Sequence, residues 1–133
     1  MAVTINDPVR DAAVTASGAE FNSGFVRVYS GDVPANAGAA LDGATLLAEV
    51  SVEATAFGAA SAGQIAMAGV PLSDNDINAS GEASFFRLVN GAATSVLQGT
   101  VGEAASDMIV DNTSFVQGGI FTINSFTITM PAG

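Results

Sequence analysis

Asp74-Asn75-Asp76-Ile77-Asn78 is the stretch whose residue types and spacing best suit ligand chemistry. Asp74, Asp76 and Asn78 set oxygen donors at alternate positions, as a hard cation such as calcium favours. The EF-hand pattern then fails, because Ala79 stands at the glycine position and Phe85 at the position of the bidentate glutamate. The competing reading is a solvated turn held by Asx-type hydrogen bonds, and it is the stronger of the two. Two further candidates are Arg27 and Arg87, each mid-strand among apolar residues. An arginine so placed either anchors a partner interface or pairs with a nearby carboxylate. In a chain with three Lys or Arg and thirteen Asp or Glu, the ion pair is the expected outcome. Arg10 reads as a surface charge only.

The chain has no histidine, cysteine or lysine. That removes the usual catalytic triads, the Schiff-base lysine, the common zinc ligands and the ordinary general base near neutrality. A carboxylate pair could still hydrolyse glycosides, but such sites are clefts rich in aromatic groups, and this chain has one Tyr and no Trp. We therefore expect no catalytic residues, no cofactor and no enzymatic activity. The net charge of −10 repels nucleic-acid phosphate and anionic lipid headgroups alike. Residues 1–23 show neither the basic region nor the apolar stretch of a signal peptide, and the uncharged run Ala54–Ser73 is too weakly apolar to span a bilayer.

The elements that must position these residues are mostly strands. Asp7-Pro8 opens a short helix, with Asp7 as cap, Val9, Ala12, Ala13 and Ala16 on one face and Gly18 as its end. Phe25–Tyr29 is β-branched and aromatic, and the following loop through Pro34 and Asn36 to residue 45 is longer than a hairpin needs. Leu46–Ala54 alternates, with Leu46, Ala48, Val50 and Val52 inward and Leu47, Glu49, Ser51 and Glu53 outward. Residues 56–68 read as a loop with a short strand, and 71–80 as a polar turn. Glu82–Val89 carries apolar groups on both faces, which suits the middle of a sheet covered on both sides. Asn90-Gly91 starts a loop of several residues, and Ser95–Val101 returns. Short strands follow at 107–111 and 120–130. The last changes phase at Asn124-Ser125, the mark of a bulge that carries a strand from one sheet to another. About seven or eight short strands separated by turns predict an all-β, antiparallel β-sandwich of jelly-roll type with a short N-terminal helix. The whole of 1–133 forms one domain, with 1–23 as arm and helix and 24–133 as sandwich. Phe25–Gly31 also echoes Phe85–Gly91, but the flanks do not match, which favours two unrelated strands that each end in a glycine turn.

Three segments together resemble a known group. They are Gly24–Gly31 with Pro34 after it, Gly81–Leu88 leading to Leu97–Gly102, and Phe121–Thr129. Their order is similar to that in small β-rich virion structural proteins of tailed bacteriophages. The resemblance implies a virion component, most simply a capsid decoration (cement) protein on the outer shell. It also implies the major capsid protein or other virion proteins as partners, a homo-oligomeric state, and assembly in the host cytoplasm. A collar, tail or receptor- or carbohydrate-binding module is the alternative. The long loops, residues 32–44 and 70–80, and the N-terminal segment are the expected contact regions. Within and beside the loops, Arg27, Arg87, Pro34, Asn36, Asp74 and Asn75 are the interface candidates.

Overall fold

The computed structural model describes residues 3–41, 43–92 and 94–130. Asp42 of the long loop, Ala93 of the hairpin loop and the domain's predicted ends, 1–2 and 131–133, lie outside the described residues. The chain is all-β with one helix. In order the elements are α1 (Asp7–Ala19), β1 (Phe25–Ser30), β2 (Thr45–Ser51), β3 (Gln64–Ala66), β4 (Leu72–Asp74), β5 (Gly81–Glu82), β6 (Phe85–Val89), β7 (Val96–Gly102), β8 (Met108–Val110), β9 (Ser114–Phe115) and β10 (Phe121–Thr129). Strands run β2-β1-β6-β7-β8-β10-β3 across one large sheet, with β4 also on β10, while β5 and β9 form a small second sheet. All pairs are antiparallel except β7 with β8.

The large sheet folds over on itself into a sandwich-like body. Phe86 of β6 and Phe126 of β10 have two strands between them in the path, yet their rings meet edge to face at 5.1 Å. Between the two walls lie Val26, Val28, Leu88, Val101, Met108, Val110 and Ile123, all buried. The long β10 makes this possible. Its register slips between Ile123 and Ser125, so Phe121 and Ile123 are buried in one phase and Phe126 in the other. This is the bulge that the phase change at Asn124-Ser125 predicts.

Two strands depart from the simple alternation. In β2 the register slips opposite Val28 and Tyr29, leaving Leu47 as an extra residue. Leu47 therefore turns into the core beside Ala48 instead of facing water with Glu49, and its carbonyl accepts the amide of Asn78 at 2.7 Å. The single strand expected over 82–89 is two. The amide of Ala83 donates to Thr113 in the small sheet's neighbourhood, while that of Ser84 donates to Tyr29, so the chain changes partner between them. Ala83 joins the main core, but Phe85 two residues on faces the other side. Strand β4 forms within the stretch read from the sequence as a polar turn, and β9 between the strands expected at 107–111 and 120–130; they are three and two residues long.

The helix also differs from expectation. Asn6, with extended backbone, is the cap, and its side chain accepts the amide of Val9. Gly18 lies inside the helix instead of ending it. It is buried against the sandwich, where a Cβ would stand 2.5 Å from Ile65 Cδ1 and 3.1 Å from the Phe57 ring. Val14 shares that face, while Val9 is half exposed. The close approach that glycine permits selects the Val14/Gly18 face over the Val9/Ala12/Ala16 face. Arg10 is more than a surface charge: its Nε donates to the Met130 carbonyl at 2.9 Å and its Nη1 to Asp7 at 2.8 Å, which ties the helix to the end of β10.

Candidate interaction surface

The middle strand β6 is buried on both faces. Phe86 and Leu88 enter the main core, while Phe85, Arg87 and Val89 lie buried on the outer face. Strand neighbours on that face form a row. Glu49 stands opposite Arg27, Arg27 opposite Arg87, and Arg87 opposite Gln98. Two like charges directly across a strand pair repel, so each needs its own partner. One level along, Tyr29 and Phe85 stack with ring centroids 5.1 Å apart and planes within 14°.

The long loop after β1 covers this row. Arg87 Nη2 donates to the carbonyls of Ala39 at 2.7 Å and Asn36 at 3.4 Å, and its Nε donates to Gln98 Oε1 at 2.9 Å. Gln98 in turn donates from Nε2 to the Pro34 carbonyl at 2.9 Å. At the loop's start, Ser84 Oγ donates to Gly31 O at 2.7 Å. Arg87 of β6, Gln98 of β7 and Ser84 just before β6 thus hold four loop carbonyls.

The ion pair expected of Arg27 is present, Nε to Glu49 Oε2 at 2.7 Å. The one expected of Arg87 is not: no described carboxylate lies within 4 Å of its guanidinium, and an amide and two peptide carbonyls take the donor hydrogens instead. The physical reason is burial under the loop. There, hydrogen-bond saturation of the cation is what must be met, and carbonyl oxygens on a fixed loop can meet it.

Of the interface candidates, Arg27, Arg87, Pro34 and Asn36 come together here. Pro34 and Asn36 use their carbonyls inward. The Asn36 side chain is exposed, with its Oδ1 accepting the Gly38 amide. Asp74 and Asn75 lie elsewhere, at the outer edge of β2. Asp74 Oδ2 accepts the Glu49 amide at 3.3 Å and its Oδ1 accepts the Asp76 amide at 3.0 Å. Both carboxylate oxygens of Asp74, the first residue of the calcium candidate, therefore serve backbone amides, that of Asp76 in an Asx turn and that of Glu49 across to β2. Among the described residues no group of three or more His, Cys, Asp or Glu is placed to hold a metal ion. No described helix is long and apolar enough to cross a membrane.

Reading single residues missed Glu49, Gln98 and the Ala39 carbonyl. Gln98 had only a partial signal: a tight turn at Asn90-Gly91 would set Thr94 opposite Arg87, and it is the longer connection, with Val89 paired to Val96, that brings Gln98 there. What the arrangement can do is mechanical. It fixes an eleven-residue stretch, 31–41, onto the sheet and leaves Val33, Ala35, Asn36, Gly38 and Ala40 exposed. No protein-family model, curated protein or solved structure matches the chain.

Proposed function

We propose that this chain is a non-enzymatic structural component of a tailed-phage virion, a capsid decoration protein that binds the outer shell as a homo-oligomer. The observation that carries the reading is the pinned loop. A long loop usually loses conformational freedom on binding, which weakens association. Here Arg87, Gln98 and Ser84 have already fixed it, and it presents small, uncharged side chains with Asp32 as its one described charge. A rigid, weakly charged patch on an acidic body suits many equal, modest contacts with a lattice, whose strength adds through repetition. The three segments that resemble phage virion proteins support the same role, for they form β1, the β6–β7 hairpin and β10, the frame that carries this loop.

The test is co-sedimentation of the purified protein with capsids that lack it, and with isolated tails. The expected result is saturable binding to capsids near the lattice copy number, weakened by Val33→Asp or Asn36→Arg, both at exposed positions. Binding to tails alone would move the role to collar or tail. Binding to neither, with glycan binding instead, would overturn decoration in favour of a receptor module.

A further inference from the structure

The two walls of the body do not join everywhere. Strand β8 is three residues long and bridges β7 to β10 only near Val101–Gly102 and Ile123–Phe126. Beyond its start, Leu97–Gly99 of β7 and Thr127–Thr129 of β10 flank an opening that Asp107 also lines, with no described strand between them. The opening is a groove of about 260 Å³, floored by Phe86, Phe126, Leu97 and Ile128.

Among the described residues, neither side of this slot has a strand partner facing into it. The Thr100 amide donates to Asp107 Oδ2, so it points away from β6. By strand alternation the backbone groups of Gln98 and Val96 point the same way. On the other wall the Phe126 carbonyl accepts from Met67 and the Met130 amide donates to Gly63, both on the β3 side. The backbone groups of Thr127 and Thr129 consequently point into the slot. An edge of this kind recruits an extended segment, which gains main-chain hydrogen bonds and here would also cover partly exposed core residues.

We infer that the slot receives residues 3–5 of a second copy of this chain as an added strand. Three observations select that occupant. The segment is mostly uncovered: Val3 is 84% exposed, Thr4 is exposed and Ile5 is half-buried. It leaves the helix cap with extended backbone, Asn6 having φ −88° and ψ 174°. Its three residues cover about 10 Å at strand rise, the length of the Thr127–Thr129 edge. Charge points the same way. In a chain of net charge −10, most surfaces repel a second copy, but residues 1–6 carry no ionisable side chain. The one acid among the slot's described residues, Asp107, is already held by Thr100. Reciprocal exchange of such segments closes a two-fold dimer. The inference rests on this geometry and is independent of the virion role, so either can fail alone.

The test uses the absence of native cysteine. Val3→Cys and Thr129→Cys are made in separate full-length chains, at two exposed positions, then mixed under mild oxidation. The expected product is the mixed disulfide dimer, in excess over either homodimer. Sedimentation equilibrium of Val3→Asp should show self-association at least about tenfold weaker than that of the unmodified chain, the loss of one buried valine. An unmodified chain that stays monomeric, a Val3→Asp chain that associates unchanged, or no mixed disulfide overturns the inference. So does a doubly substituted chain that closes only within itself, which would place each segment in its own slot.

Discussion

Arg27 and Arg87 face each other across the β1–β6 seam and are held in opposite ways. Each donates from Nε to the residue opposite it on the next strand outward, Glu49 at 2.7 Å and Gln98 at 2.9 Å. Arg27 has a carboxylate and stays one-third exposed, its side chain at 32%. Arg87 has an amide and loop carbonyls and is only 9% exposed. The difference shows that charge balance is the lesser requirement in the buried half. A carboxylate at position 98 could accept from Arg87 but could not donate onward to Pro34. The glutamine does both, and so extends a hydrogen-bonded chain from sheet to loop. Near water, where Glu49 sits, no such relay is needed and a simple ion pair serves.

Removing Arg87 should have the largest effect. Arg87→Ala leaves a void beneath the loop and strips the Asn36 and Ala39 carbonyls of their donor. Urea unfolding should show a loss of about 3 kcal/mol, from cavity and unsatisfied acceptors together. Limited proteolysis should then cut within 31–41 in the variant and spare that stretch in the unmodified chain. If the chain loses no more stability than Arg27→Ala does, the two halves are energetically alike and the contrast is wrong.

Exchanging the partners sharpens the comparison. Gln98→Glu places a negative oxygen against the Pro34 carbonyl and removes its donor, a cost that outweighs the stronger bond to Arg87. The expected net loss is about 1 kcal/mol, with faster amide exchange in the loop. The mirror change, Glu49→Gln, keeps the hydrogen bond from Arg27 at a position open to water. Its expected loss is roughly 0.5 kcal/mol or less, after allowance for screening. Equal losses in the two unfolding curves would show that burial does not set the choice of partner.

Most of this frame was legible in the sequence because it rests on period and turn chemistry. The two-faced stretch around Phe85-Phe86, the Asn90-Gly91 loop and the phase change at Asn124-Ser125 all lie where the pattern puts them. Departures arise where a tertiary contact overrides the local period. Leu47 bulges because its carbonyl has partners in Asn78 and Ala79, some thirty residues away. Gly18 continues the helix because Ile65 and Phe57 leave no room for a side chain there, a fact no window of neighbouring residues contains. The site was half legible. Both arginines stand out by type, and Arg27 has the acid that a carboxylate-rich chain suggests. The partners of Arg87 did not, since backbone carbonyls of a loop carry no sequence signal. The sixty-residue echo gains a physical meaning as well: its two strands are direct neighbours, with Arg27 and Arg87 at one level.

The most discriminating of these small effects concerns salt. The Arg27–Glu49 pair is about one-third exposed on both sides, so mobile ions reach it and weaken it. Arg27→Ala should cost under about 1 kcal/mol at low ionic strength, and most of that cost should vanish near 1 M salt, where the Debye length falls to about 3 Å. Part of the residue's packing over Phe25, 6.0 Å from its guanidinium carbon to the ring centre, should persist. Arg87→Ala should keep its full cost across the same salt series, for its bonds run to neutral groups beneath the loop. Unfolding curves of both variants over that series therefore separate an electrostatic contact from a structural one. If the Arg87 deficit shrank with salt as the Arg27 deficit does, the buried guanidinium would be held by a charge, and the loop carbonyls would be secondary to it.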